Sequence, residues 1–502
     1  MPMLTDLIAR GVAVPGHAPW PRAVLDSDGW AAAVAELAAG EATLLGLWGE
    51  ADAVHLALCR DASVAVLTLP CPTGSYPSVG RHHPPALRLE RALHDLFGLV
   101  PEGLPDTRPW LDHGLWPEGS PLGHAAAYAQ DRRTYQFLPA EGEGLHQIAV
   151  GPVHAGIIEP GHFRFTASGE TLVRLEERLG YTHKGIESLL AGADLDHAAR
   201  LAGRVSGDST VAYAWAFAMA AESAMQLDVP QRAVWLRALM AELERLANHL
   251  GDIGAICNDA AFTLLHAHFG ALRERVLRAS EEAFGHRLMR DAIVPGGIAA
   301  DATRDGLTAI ERVGKEIGRQ LPRLVEVYDE TASLQDRTVG TGIVTAALAR
   351  QYGAGGYVGR ASGRDFDARA AFRYAPYDRL SFKVPVLPEG DVDARVWIRI
   401  REVEQSLALV DQLLAQLPAG PVRTAPRAPG RPVEGLAIVE GFRGDVMVWL
   451  RLDADGKLER CHLRDPSWFQ WPLLEAAVEG NIVADFPLCN KSFNCSYSGH
   501  DL

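Results

Sequence analysis

Apolar positions recur at helical spacing through the Ala-, Leu- and Glu-rich segments 169–191, 195–226, 229–256, 260–290, 303–335 and 393–417. That period predicts long helices. The run Thr210–Ala224 is apolar nearly all round, which predicts a helix inside a bundle rather than on its surface. Asp228-Val-Pro-Gln reads as a helix start and Leu417-Pro-Ala-Gly as a stop. Earlier in the chain, Ala42–Trp48, Val54–Cys59 and Val64–Leu69 are short strand-like runs bounded by Gly, Asp and Pro. Leu87–Phe97 returns to helical spacing, with Glu90, Arg91 and Asp95 on its polar side as a solvated face. A Pro/Gly-rich stretch, Pro101–Gly123, runs into polar residues 130–146 and places a domain boundary near 145. After a loop over 420–432, Leu436–Glu440, Val446–Leu452 and Leu458–Leu463 predict a small antiparallel sheet turned at Asp455-Gly456, followed by a short helix over 467–478. The expected fold class is α+β. A small α/β domain covers 1–145, and a mainly α-helical bundle domain with a small C-terminal antiparallel sheet covers 150–502.

A length of 502 residues agrees with more than one domain. The net charge of −15 argues against a nucleic-acid partner, which needs a basic face. No apolar run approaches the ~20 residues of a membrane span, and no signal peptide opens the chain, so a membrane is expected to be reached only through partner subunits. The six cysteines form no Cys-x-x-Cys pair; they read as small buried apolar residues in a reducing, cytoplasmic compartment, without an iron–sulfur or zinc motif. Gly353-Ala-Gly-Gly-Tyr-Val-Gly359 has the wrong spacing for a dinucleotide loop, which leaves NADH to another subunit.

Several motifs carry a resemblance. Tyr76-Pro-Ser-Val, His83-Pro-Pro-Ala and Leu89-Glu90-Arg91-Ala-Leu-His94-Asp95-Leu-Phe97-Gly98 resemble the C subunit of NADH:quinone oxidoreductase, respiratory complex I. Residues 150–502 resemble the D subunit of complex I and the large subunit of energy-converting nickel–iron hydrogenases. The matching stretches include Gly151-Pro-Val-His154-Ala-Gly-Ile-Ile-Glu159-Pro-Gly-His162 and Gly180-Tyr-Thr-His183-Lys184-Gly185-Ile-Glu187. Glu242-Leu-Glu244-Arg245-Leu-Ala-Asn248-His249, Arg360-Ala-Ser-Gly363, Glu440-Gly-Phe-Arg443-Gly444 and Asp465-Pro466-Ser467 follow in order. Together they resemble a fused C-plus-D chain of the hydrogenase-4 and formate-hydrogenlyase large-subunit type.

The resemblance also exposes departures. Those hydrogenases carry an Arg-x-Cys-Gly-x-Cys motif and a terminal Asp-Pro-Cys-x-x-Cys motif, whose four thiolates hold nickel. The matching positions here are Ser206, Ser209, Ser496 and Gly499, with Asn494-Cys495 where Asp-Pro would stand. A neutral hydroxyl is a poor ligand for a soft transition metal, so neither nickel nor any other cofactor is expected in this chain. The complex I residues implied to hold the quinone headgroup, a His and a Tyr, fall on Ile158 and Gly207, which cannot donate side-chain hydrogen bonds to it. What remains is an expected proton relay around an emptied metal cavity: Glu159, His154, His183 and Asp208, with His162, Glu187 and His249 near them. Plainer readings stand beside it. Glu187 would pair with Lys184 or Arg204, Asn248-His249 would tie helices together, and His82-His83 would lie on a surface loop.

The implied role is a peripheral-arm subunit of a membrane-associated, complex-I-like or hydrogenase-4-like oxidoreductase, coupling electron transfer to proton or ion movement. One implied partner is a small iron–sulfur subunit like the B subunit of complex I, which would carry the cluster. The others are integral membrane subunits like the H subunit of complex I and its antiporter-like chains. The implied location is the cytoplasmic side of the inner membrane. A structural scaffold subunit is the alternative, and a quinone- or hydrogen-reacting catalytic subunit ranks last.

Overall fold

The three N-terminal strand-like runs form an antiparallel meander: β1 (Thr43–Glu50), β2 (Ala53–Arg60) and β3 (Ser63–Pro70). Leu47 lies opposite Leu56, and Leu56 opposite Leu67. Arg22–Val24 joins β3 in parallel, and Val12–Ala13 completes a five-stranded sheet. This is a computed structural model, and it describes residues 4–124 and 135–502. The polar stretch read over 130–146 therefore lies partly outside the described residues.

The six central residues of each meander strand are buried, because both faces are covered. Helix α1 (Leu87–Phe97) lies against one face, where a Cβ at Gly49 would meet Phe97 at 2.9 Å. On the other face Trp48 and Val66 pack with Leu436, Met447 and Trp449 from the C-terminal sheet. The solvated polar face expected for α1 is a correction. Glu90, Arg91 and Asp95 are buried, because each satisfies backbone groups of neighbouring loops. Glu90 accepts from the Val79 and Gly80 amides at 2.8 and 2.9 Å and from Ser78 Oγ at 2.7 Å. Asp95 accepts from the Trp110, Leu111 and Asp112 amides, and Arg91 donates to Asp106 and the Arg108 carbonyl. The Glu90 bonds fix the loop that leads into the helix, and those of Arg91 and Asp95 tie down the Pro/Gly-rich stretch that follows it.

The helix expected over 169–191 is a second correction. Strands β4 (Leu145–Val150), β5 (His162–Ser168) and β6 (Thr171–Arg178) form an antiparallel sheet in which Phe165 faces Leu175. Only Ile186–Leu190 is helical there. The Glu/Arg content of β6 mimics a helix, but its charges are used in ion pairs with Arg88 and Arg108. The segment 195–226 also breaks, into Leu195–Ala202 and α2 (Thr210–Met225), at an extended Ser206.

The remaining long helices are α3 (Gln231–Asp259), α4 (Thr263–Phe284), α5 (Arg304–Glu330) and α6 (Val392–Ala415). The C-terminal sheet is β7 (Val433–Gly441), β8 (Gly444–Leu452) and β9 (Leu458–Arg464), antiparallel, with His17–Ala18 added in parallel to β7. Helix α2 is buried on nearly every side and lies across β7 and β8. A Cβ at Gly435 would stand 1.9 Å from the Ala220 carbonyl oxygen, so only glycine permits this approach. Helices α7 (Ser467–Ala477), α8 (Phe486–Phe493) and α9 (Tyr497–Asp501) carry the chain to a buried tip. No helix among the described residues is long and apolar enough to cross a membrane.

Candidate functional site

The break before α2 and the turn before α9 meet in the core. Ser206 Oγ lies 3.0 Å from Ser496 Oγ and donates to Asp208 Oδ1 at 2.8 Å. Ser496 also caps α9, accepting from the Gly499 amide at 2.9 Å, while its own amide donates to Ser467 Oγ. Tertiary folding thus brings Ser206, Ser209, Ser496 and Gly499 into one neighbourhood.

The cavity expected between them is a correction: arginine and carboxylate side chains fill the space. Arg443, from the β7–β8 turn, donates to Asp208 Oδ1 and Oδ2 at 2.8 and 2.6 Å, to Ser209 Oγ at 3.2 Å and to the Asn494 carbonyl at 2.5 Å. Burial would raise the Asp208 carboxyl, but the Arg443 charge and the bonds from Arg443 and Ser206 outweigh it and lower it to about 2. Beside Gly499, Asp465 accepts from Tyr213 Oη at 2.6 Å and from the Ser467 amide at 2.8 Å. A Cβ at 499 would stand 2.4 Å from Asp465 Oδ2.

The residues present do not fit nickel. Their hydroxyls bond one another, a guanidinium stands among them, and the fourth position has no room for a thiolate. Among the described residues, no three His, Cys, Asp or Glu side chains gather as a metal-binding group. All six cysteines are free and buried; burial pushes the Cys495 thiol up, as a buried apolar residue requires.

Three of the four expected relay residues, Glu159, His183 and Asp208, reach the tip, and none of the four bonds another. Glu159 Oε2 accepts from the Ser498 amide at 3.1 Å. His183 Nδ1 lies 2.8 Å from the Asp501 carbonyl, and its ring packs on Trp116. Asp208 reaches the tip through Ser206 and Ser496. His154 does not; its Nε2 meets the Gly161 carbonyl within its own loop. Of the neighbours, His162 is buried with Nε2 unbonded, and His249 bonds Glu402 on α6 at 2.7 Å, tying helices as the plainer reading expects. Ile158 is half-exposed, and Gly207 faces open space.

Two pairings differ from expectation. Glu187 bonds neither Lys184 nor Arg204; it pairs with Arg460 at 2.8 Å and His462 at 2.7 Å on β9, while Arg204 pairs with Asp291. Those partners, against the opposing effect of burial, lower Glu187 to about 2. His83 is buried rather than on a surface loop, and burial lowers it to about 4.

Three residues carry much of the bonding without being candidates from the sequence: Arg443, Asp465 and Asp501. Asp501 accepts from the Gly180 amide and from the Thr182 amide and hydroxyl, and its neighbour His500 stacks on Trp468 at 3.9 Å. Their signal was position alone: Arg443 and Asp465 stand inside quoted motifs, and Asp501 two residues past Gly499.

Comparison with known proteins agrees with this architecture. Residues 259–434 match the family model of the respiratory-chain NADH dehydrogenase 49 kDa subunit, 50–131 that of the 30 kDa subunit, and 184–251 that of nickel-dependent hydrogenase. Formate hydrogenlyase subunit 5 of Escherichia coli (strain K12) is 33% identical over 438 residues, covering 85% of this chain and 77% of that one. Hydrogenase-4 component G of the same organism is 31% identical, covering 85% and 76%. Among solved structures, a chain of the membrane-bound sulfane sulfur reductase, an archaeal respiratory membrane complex, superposes with a TM-score of 0.68 at 27% identity, covering 72% of this chain and 99% of its own. The protein therefore belongs to the family of formate hydrogenlyase subunit 5 and hydrogenase-4 component G, which joins parts like the 30 and 49 kDa subunits of respiratory-chain NADH dehydrogenase in one chain.

Proposed function

We propose that this chain is a peripheral-arm subunit of a membrane-associated, complex-I-like or hydrogenase-4-like oxidoreductase, and that it couples electron transfer to proton or ion movement without a nickel–iron centre of its own. The carrying observation is the Arg443–Asp208 pair, seated between the two segments that would otherwise supply thiolates. Residues 1–145 are read as a part like the C subunit of complex I. Residues 150–502 are read as a part like its D subunit and the hydrogenase large subunit. A small iron–sulfur subunit would supply the redox group, and integral membrane subunits the ion path, on the cytoplasmic side of the inner membrane. The loop bearing Glu159 supports a protein partner there, since Val153 and Ile157 are 84% and 101% exposed.

Within that role, Glu159, His154, His183 and Asp208 are the proposed proton relay, with water or partner groups spanning the gaps between them. Glu159→Gln should slow proton-coupled turnover of the assembled complex; unchanged turnover removes Glu159 from the path. Isolation of the intact complex with a metal inventory tests the wider reading. Iron without nickel supports it, and stoichiometric nickel overturns it. The closed hydroxyl lattice around Ser206 and Ser496 favours the scaffold alternative; a complex with no redox metal at all would select it.

A further inference from the structure

Behind the closed site lies a second set of charges, fully enclosed between α3, α6, β7 and the segment 360–369. Arg360 donates to Glu402 Oε1 at 2.7 Å and to Glu440 Oε1 at 2.9 Å. Arg369 holds Asp367 through two nitrogens and Glu242 through a third. Arg245 sits 3.4 Å from Glu242 and 3.6 Å from Glu402. All seven side chains are buried. Four carboxylates face three guanidinium groups, so the cluster with every member ionised carries one uncompensated negative charge. An unpaired ion in such surroundings is strongly disfavoured, and a buried carboxylate avoids the penalty by binding a proton.

The surrounding charges do not supply the missing cation. Asp445 is paired with Arg464, and Arg399 with Asp252. Arg364, partly exposed at the edge of the cluster, has both Asp445 and Glu440 as charge neighbours, and no ion pair joins it to any of the four carboxylates. His249 meets Glu402 through one ring nitrogen, but burial lowers its pKa, and Arg245 and Arg399 oppose a charge there.

Among the four carboxylates, Glu440 is the least supported. Glu242 accepts from Arg369, Tyr377 Oη and Ser406 Oγ. Glu402 accepts from Arg360 and His249, and Asp367 is gripped by Arg369 at both oxygens. Glu440 has only a guanidinium nitrogen that Arg360 also turns toward Asp367, together with the Ala368 amide. We propose that this buried cluster is a proton-storage site, with the proton held on the Glu440 carboxyl and taken from and returned to solvent as the chain works. Burial, reinforced by the Asp367 charge, raises that carboxyl to about 7. The site gives the coupling role proposed above a proton carrier three residues from Arg443. Its existence is tested on the full chain alone, independently of that role.

The test compares wild type with Glu440→Gln and His249→Gln. Because the amide mimics a neutral acid, Glu440→Gln should fold with the wild-type unfolding midpoint at pH 4. A raised carboxyl contributes stability below its unfolded pKa of about 4.3 and loses it as pH rises through the folded value. The variant's midpoint should therefore gain on wild type between about pH 4 and pH 7. Infrared difference spectra of wild type minus Glu440→Gln, recorded against pH in H2O and D2O, should contain a deuterium-sensitive protonated-carboxyl component that halves near pH 7; the subtraction removes other raised buried carboxyls such as Glu244. His249→Gln should keep that component. Failure of Glu440→Gln to fold would mean that a charged carboxylate had been removed, and would overturn the proposal. So would the absence of that component from the difference spectrum, or its loss in His249→Gln.

Discussion

Arg443 grips Asp208 through both terminal guanidinium nitrogens, at 2.8 and 2.6 Å, and so clamps the break before α2 to the turn before α9. Removing either partner strands the other. Asp208 keeps 37% of its side chain exposed, so Arg443→Met should cost about 2–3 kcal/mol, below the ~3–5 kcal/mol of a fully buried pair. Asp208→Asn should cost a similar amount, and the double variant less than their sum. Urea midpoints of the four proteins measure the coupling; strict additivity would dissolve the clamp. Because the Asp208 carboxyl is lowered to about 2, its share of stability is present above about pH 4 and is lost as pH falls toward 2.

Placing thiols at the site should not create a metal centre. Gly499→Cys drives a Cβ to within 2.4 Å of Asp465 Oδ2 and 2.8 Å of Ser496 Oγ. Overpacking of this kind costs about 1–3 kcal/mol. The variant with cysteines at 206, 209, 496 and 499 should therefore unfold earlier than wild type and bind nickel no better. Thermal scans with metal analysis check both; stoichiometric nickel would refute the steric argument.

Burial lowers His83 to about 4 from an unfolded value near 6.5. A histidine lowered in the folded state contributes stability above its unfolded pKa and loses it as pH falls toward the folded value. Between pH 6.5 and 4 this amounts to about 3 kcal/mol. His83→Gln should flatten the urea midpoint over that window relative to wild type. An unchanged slope would place His83 in water.

Glu187→Gln removes the carboxylate shared by Arg460 and His462. With all three side chains enclosed, the expected loss is about 3–5 kcal/mol. A loss under about 1 kcal/mol, measured by denaturant unfolding, would mean that the pair forms no buried link between β9 and the helix Ile186–Leu190.

Much of the architecture was legible before folding. The apolar period located α3 to α6, since burial of one face imposes spacing directly on the chain, and short apolar runs bounded by turn residues located the meander strands and the C-terminal hairpins. The period failed at β6, where Thr171–Arg178 mixes leucines with charges in a pattern that suits a helix until Phe165 and Leu175 are seen to face one another. It failed again at Glu90, Arg91 and Asp95, whose polarity reads as solvent exposure although loop amides enclose the two carboxylates and loop carbonyls the arginine. Polarity along a chain does not reveal whether a partner waits in the core.

The sequence by itself determined that positions 206, 209, 496 and 499 carry no thiol, since they are Ser, Ser, Ser and Gly, and ligand chemistry belongs to residue type. Only tertiary structure decided what stands between them. Arg443 lies 235 positions from Asp208 in the chain, and Glu187 finds its partners 273 and 275 positions away. Pairing of buried charges depends on which elements meet, and no local period records it.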